Sequence, residues 1–323
     1  MSKPKVFVTR IIPDKGLEMI RDFCEVDLWQ EELPPSHEEL LKRVQGVEGI
    51  LSLLTDKIDA ELMDAAGKQL KVISNHAVGF DNIDLQSATD RKIPVGNTPD
   101  VLTDATADFA FALMMAAGRR LIEADRYVRD GKWKTWGPML LLGTEMKGTT
   151  LGLVGFGRIG KAMARRAMGF DMRVIYYDPA DKSTEFNATS VDLETLLEKS
   201  DFISLHTPLT PATRHLINSE ALAKMKSTAV LINTSRGPVV DLNALYEALK
   251  ENRIFAAGLD VTEPEPLPMN SPLLTLDNFV IAPHIASASK VTRDKMSWMA
   301  AQNLISGLKG DRLPNCVNPQ VYK

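Results

Sequence analysis

Two kinds of apolar spacing alternate along this chain. In one, a few consecutive residues are almost all apolar: Lys5–Thr9, Gly49–Leu54, Val72–Ser74, Pro94–Val95, Phe202–His206, Ala229–Asn233, Ala256–Val261 and Phe279–His284. Strands covered on both faces, as in a parallel sheet, have this pattern, and Glu25–Trp29 alternates like a half-covered strand. In the other, apolar residues recur three and four apart. This predicts helices over Pro13–Phe23, Glu38–Gln45, a segment carrying Leu62, Met63 and Ala66, Leu193–Leu197, Leu242–Leu249 and Ser289–Leu308. Ser36 (with Glu39 at the capping-box position), Asp59 and Asp241 are placed to accept from the first free N–H groups of their helices. Thr103–Arg119 is apolar on most sides, through Ala107, Phe109, Ala110, Phe111, Leu113, Met114 and Met115. Such a helix is buried in a core or in a subunit contact.

Strand and helix in regular alternation predict a parallel α/β architecture, and 323 residues exceed one ordinary core. The division is marked in the middle of the chain. Leu151–Val154 reads as a strand, and Gly155-Phe156-Gly157-Arg158-Ile159-Gly160 as a tight turn opening a helix. A second strand, Val174–Tyr177, then ends in Asp178. That order is the dinucleotide-binding arrangement: Gly155 permits the turn, Gly157 lets backbone approach a pyrophosphate, and Gly160 lets helix and strand pack closely. The helix N-terminus then offers free N–H groups to the phosphates. Strand–helix units also precede this motif. The expected fold is therefore two doubly wound parallel-sheet domains, with a Rossmann-type nucleotide domain (101–286) inserted into a flavodoxin-like substrate domain (1–100 and 287–323). The crossovers fall near Val101 and Ser287, with a ligand cleft between the domains.

Charge and composition narrow the partners. Lys and Arg number 38 against 42 Asp and Glu, a net charge of −4, so no basic surface invites nucleic acid or anionic lipid. No apolar run is long enough to span a bilayer, Pro4 and Arg10 interrupt any leader-like run, and the two cysteines form no framework. A cytoplasmic protein is expected. His76, His206 and His215 have no carboxylate or cysteine at ligand spacing, and His37 reads as lying on a solvated helix, so no metal site is expected.

Ligands of open α/β sheets gather at the carboxyl ends of the strands. There the chain places Arg236, Asp260 and His284, with Glu265 in the adjoining loop and Glu263 competing for the same acidic role. Arginine can grip a carboxylate and polarise the neighbouring carbonyl, histidine can deliver a proton, and a carboxylate beside that histidine favours its charged form. With the cofactor we place the whole turn Gly155–Gly160 (Phe156, Arg158 and Ile159 included), Asp178, and the strand-end residues Thr207, Pro208, Thr234, Ser235 and Asp260. A carboxylate at Asp178 accepts ribose hydroxyls and repels a 2′-phosphate, so NAD is expected over NADP, with Lys182 the nearby basic residue that keeps NADP possible.

Gly155–Gly160, Asn233-Thr234-Ser235-Arg236-Gly237, Gly258-Leu259-Asp260-Val261, Glu265-Pro266 and Pro283-His284-Ile285 occur here in one order over nearly the whole chain. Together they resemble the D-isomer-specific 2-hydroxyacid dehydrogenase family. Thr262–Pro268, the Trp136–Leu142 loop and Leu53-Leu54-Thr55-Asp56 make the chain most similar to its glyoxylate/hydroxypyruvate reductases. The resemblance implies catalytic roles for Arg236, Glu265 and His284. It further implies substrate contacts from Leu54, the Val78 and Gly79 backbone, and Ser287, a nicotinamide contact from Thr106, and a homodimer through the Thr103–Arg119 region in which Trp136 reaches the neighbouring subunit. Ala286 stands where the family usually has glycine. The expected activity is NAD(P)H-dependent reduction of glyoxylate or hydroxypyruvate to glycolate or D-glycerate, with His284 as general acid. The alternatives are another member such as a 3-phosphoglycerate dehydrogenase, or a non-catalytic NAD-sensing scaffold.

Overall fold

A computed structural model describes residues 3–180 and 183–323. The chain divides into two compact units, Met1–Leu102 with Ala288–Lys323, and Thr103–Ser287. Each is built on its own parallel sheet.

In the first unit the strands are β1 (Lys5–Val8), β2 (Glu25–Leu28), β3 (Gly49–Ser52), β4 (Val72–Asn75) and β5 (Val95–Gly96), in the order β2-β1-β3-β4-β5. That is the flavodoxin-like winding. Helices α1 (Asp14–Phe23), α2 (His37–Arg43), α3 (Ala60–Ala66) and α4 (Leu85–Asp90) are joined by the C-terminal helix Lys290–Lys309. Neighbouring residues of each strand feed opposite cores. Phe7, Ile50 and Ile73 meet Leu40, Leu62 and Met63, while Val6, Val8, Leu51 and Val72 meet Leu17, Ile20, Ala300 and Leu304. The continuous apolar runs of the sequence are the consequence of this two-sided cover. The C-terminal helix approaches closely, since a Cβ on Gly307 would lie 2.5 Å from Val72, and one on Gly16 would lie 2.2 Å from Ser297.

The second unit contains α5 (Thr103–Gly118), α6 (Leu121–Arg129), β6 (Thr150–Val154), α7 (Arg158–Met168), β7 (Arg173–Tyr177), β8 (Thr189–Ser190), α8 (Leu193–Lys199), β9 (Phe202–Leu205), α9 (Ser219–Lys224), β10 (Val230–Asn233), α10 (Leu242–Lys250), β11 (Ala256–Leu259) and β12 (Phe279–Ile281). The sheet order β12-β11-β10-β9-β6-β7-β8 reverses at β6, where the glycine turn sits, as the Rossmann winding requires. Helices α5 and α7 cover one face through Ala110, Met114 and Met163; α8, α9 and α10 cover the other through Leu196, Leu222 and Leu245.

Several expectations are corrected. The helices α4, α6 and α9 and the strand β8 were not anticipated. The sequences of α4 and α9 are short and polar, so their capping residues Asp84 and Asn218 were the available signal. The strand expected over Gly49–Leu54 stops at Ser52, because the Leu53 N–H turns to Asp56 Oδ2 at 2.7 Å. The one expected over Phe279–His284 stops at Ile281, and His284 adopts φ +55°. Ser36 does cap α2, but Glu39 turns its carboxylate to Arg43 at 3.2 Å instead of closing the capping box. On α5, Ala107, Ala110, Phe111, Leu113, Met114 and Ala117 pack into the core of the second unit, while Met115 is 40% exposed.

Candidate active site

The glycine turn comes first because the sheet's topology centres on it. Gly155 has φ +94°, and a Cβ there would sit 2.5 Å from the His206 carbonyl oxygen and 3.1 Å from Thr207 N. A Cβ on Gly160 would lie 2.3 Å from the Gly155 oxygen. Both glycines are therefore required by the protein's own packing. Gly157 is not: a Cβ there would meet nothing within 4 Å. It is the N-cap of α7, and no side-chain hydrogen bond caps that helix. Phe156 is fully buried and stacks on Tyr176 at 3.8 Å, so it offers only its backbone. Its N–H donates to Asp178 Oδ2 at 2.8 Å, and Ala180 N–H donates to Oδ1 at 2.9 Å. A carboxylate anchored beside an uncapped helix start, with room in front of Gly157, fits a dinucleotide. Lys182 lies outside the described residues.

The second group is built at the ends of β10, β11 and β12. Asn233 closes β10 and folds the chain behind it. Its Oδ1 accepts from Ser235 N and Ser235 Oγ, and its Nδ2 donates to the Arg236 carbonyl at 2.8 Å. Gly237 then presses on the next loop so closely that a Cβ would overlap the Thr262 carbonyl. The Thr262 N–H reaches Glu265 Oε2 at 3.3 Å. Asp260 is buried at the end of β11, where its carboxylate accepts from Ile285 N at 2.7 Å and Ala286 N at 2.8 Å. Burial pushes this acid up, against the pull of those two bonds. It thereby holds the backbone that follows β12 and carries His284.

His284 Nδ1–H donates to Glu265 Oε1 at 2.6 Å. Burial pushes Glu265 up, but the bond and charge of His284, the Thr262 N–H and the charge of Arg236 outweigh it and leave the acid below its ordinary range. Glu263 instead pairs with Arg214 at 2.8 Å and lies 3.4 Å from His215, a contact that sequence spacing did not reveal. With Nδ1 engaged, Nε2 is the nitrogen left to exchange a proton with a ligand. Burial makes the other strand-end histidines poor proton carriers: it pushes His76 down to about 4 and His206 down to about 3. Thr234 Oγ1 is buried without a hydrogen-bond partner among the described residues, beside Ser235 and Arg236.

In the first unit, Val78 and Gly79 follow β4, half-buried, and Leu54 lies 38% exposed in the loop after β3. Thr106 is buried on α5, Ser287 is half-buried, Pro208 is exposed and Trp136 is 78% exposed. Sequence reasoning missed Asn233 and Thr262. An asparagine at a strand end followed by Thr-Ser was the available signal for the first, since its side chain mimics a backbone turn. One cluster among the described residues has ligating atoms within 4.8 Å of one another, namely His37, Asp59 and Glu61. The Lys57 ammonium holds Asp59 Oδ2 at 2.6 Å, and His37 Nε2 lies 3.7 Å from Asp59 Oδ2 and 3.6 Å from Glu61 Oε2.

Residues 111–286 match the family described as D-isomer specific 2-hydroxyacid dehydrogenase, NAD binding domain. The glyoxylate reductase of Korarchaeum cryptofilum is 57% identical over 99% of this chain and 98% of its own length. The TT0316 protein of Thermus thermophilus superposes with a TM-score of 0.93 at 49% identity, over 97% of this chain and 99% of that one. An NADPH-dependent glyoxylate/hydroxypyruvate reductase of Sinorhizobium meliloti, solved with NADP and malonate, gives 0.88 at 33% identity, over 99% and 98%.

Proposed function

The chain belongs to the D-isomer-specific 2-hydroxyacid dehydrogenases, and from that membership we propose that it reduces glyoxylate to glycolate. The observation that carries the reading is the His284–Glu265 pair, set at the same strand ends as the Arg236 turn. A nicotinamide cofactor, when bound, supplies the hydride to C2. Arg236 holds the substrate carboxylate and polarises the C2 carbonyl. His284 Nε2 gives its proton to the carbonyl oxygen as that oxygen gains charge, and Glu265 keeps the ring oriented through Nδ1. The Val78 and Gly79 N–H groups are the proposed further donors to the substrate carboxylate. NADH oxidation on addition of glyoxylate tests the reading. No turnover with glyoxylate, hydroxypyruvate or any other small 2-keto acid would remove it.

Asp178 favours NADH in this proposal. A carboxylate engaged with the turn puts negative charge where a 2′-phosphate would sit, so kcat/KM should favour NADH by about tenfold or more. A preference for NADPH in the two-cofactor comparison would overturn that assignment.

A homodimer is proposed as well. The helix α6 has no buried residue, and Leu121 and Val128 on it, with Trp133, Trp136, Met139 and Leu142 beyond it, are all exposed. Large apolar side chains recurring in solvent over one short segment mark an association surface. Light scattering is expected to read about twice the 35.7 kDa of one chain, and Trp136→Asp combined with Leu121→Asp should shift it toward one. A wild-type monomer at micromolar concentration removes the proposal.

A further inference from the structure

Three successive carbonyls after β4 are held from inside the first unit. The Thr98 N–H donates to the Ala77 oxygen at 2.9 Å, Asn97 Nδ2 to the Val78 oxygen at 2.8 Å, and Asn75 Nδ2 to the Gly79 oxygen at 3.0 Å. A peptide group is planar, so its C=O and the next residue's N–H point in opposite directions. Holding those oxygens therefore aims the N–H groups of Val78, Gly79 and Phe80 away from the groups that hold them. None of the three has an acceptor among the described residues. Consecutive amides fixed in this way make a concave donor set suited to a carboxylate.

Asn75 is fully buried at the last position of β4. Its Oδ1 accepts from Ser52 Oγ at 3.0 Å, and its second N–H donates to Asn82 Oδ1 at 3.1 Å. Asn82 Nδ2 in turn donates to the carbonyls of Leu53 and Asp56, both at 3.0 Å. The Asp56 carboxylate, buried, takes the Leu53 N–H and the Thr9 hydroxyl, the latter at 2.5 Å. The chain Ser52–Asn75–Asn82–Leu53/Asp56–Thr9 thus ties the loop carrying Leu54 to the turn carrying Val78 and Gly79. Each amide has its donors and its acceptor engaged, so neither can rotate without leaving a buried polar group unpaired.

We propose that Asn75 and Asn82 are positioning residues for the substrate: a buried amide relay that fixes the Val78–Phe80 N–H groups as a carboxylate cradle and holds the Leu54 loop beside it. The inference rests on the keto-acid reading given above, because that reading supplies the carboxylate.

Asn75→Asp keeps the shape and replaces both donors with an acceptor. It should raise KM for glyoxylate by about tenfold or more, with kcat within a few-fold and the Kd for NADH, read by fluorescence, unchanged. Asn82→Ser, which touches none of the three N–H groups, should raise KM in the same direction by less. A purely structural role would lower Tm in both variants and leave KM where it was. Calorimetry with oxalate, a non-reducible dicarboxylate, on the NADH-loaded protein separates this inference from the activity. Oxalate bound by wild type and about tenfold more weakly by Asn75→Asp supports the cradle even if glyoxylate is not turned over. Unchanged KM and oxalate affinity in the folded variants overturns it, as does an unchanged Asn82→Ser if Asn75→Asp does not fold.

Discussion

His284→Ala should lose about 10²- to 10⁴-fold in kcat, the usual range for removing a positioned general acid, while NADH binds as before. The ring's Nδ1 is committed to Glu265 at 2.6 Å, and the His284 backbone is held through Asp260, whose carbonyl accepts the His284 N–H at 2.9 Å. The imidazole is therefore fixed with Nε2 available, and alanine deletes the proton donor without touching the glycine turn. Glu265→Gln is the companion variant. It keeps a hydrogen-bonding side chain beside the ring and removes the carboxylate charge. Its kcat should fall by about tenfold or more while NADH binds as before. The linkage has a definite sign on the acid side. The folded Glu265 titrates below its ordinary value, so the pair contributes stability above that value and loses it as the pH falls through the lowered one. Steady-state kinetics across pH checks both variants against wild type. A His284→Ala enzyme turning over within a few-fold of wild type removes His284 as the acid.

Arg236→Ala should be nearly as damaging but in a different way, with KM raised and kcat lowered together, for a combined loss in kcat/KM of about 10²- to 10³-fold. A guanidinium contributes to ground-state binding through the carboxylate and to the transition state through the carbonyl whose charge grows. Lysine restores the charge without the fork, so Arg236→Lys should recover part of the KM and little of the kcat. The local fold should survive. Asn233, Gly237 and the Thr262 backbone shape the turn, and the Arg236 side chain adds to it an Nη1 bond to the Ser235 carbonyl. Unchanged KM with lowered kcat would mean that Arg236 does not hold the carboxylate.

Much of the molecule was legible in advance. The strand–helix alternation, the helix caps Ser36, Asp59 and Asp241, and the strand–turn–helix unit at Gly155–Gly160 all rest on local rules. A buried strand must be apolar, and a helix start must satisfy its N–H groups. What escaped is also local in origin. The helix α6 has an apolar side through Leu121, Ala124 and Val128 that was passed over, and none of its residues is buried, while α4 and α9 are too short and polar for periodicity to register.

By itself the sequence carried the family resemblance in its motifs, and it determined the parallel α/β class and the list of groups with chemistry to offer, because these two follow from spacing and order. The resemblance pointed to Glu265, but residue spacing did not decide between Glu263 and Glu265, two residues apart in one loop. Tertiary packing did: Gly237 against Thr262 brings Glu265 to His284, and Glu263 goes to Arg214 and His215. Nor could it show that Asn75 and Asn82 join two loops, or that α5 buries its apolar face on its own sheet. A hydrogen bond depends on angles and distances of a few tenths of an ångström between residues far apart in the chain, and only the packed fold specifies those.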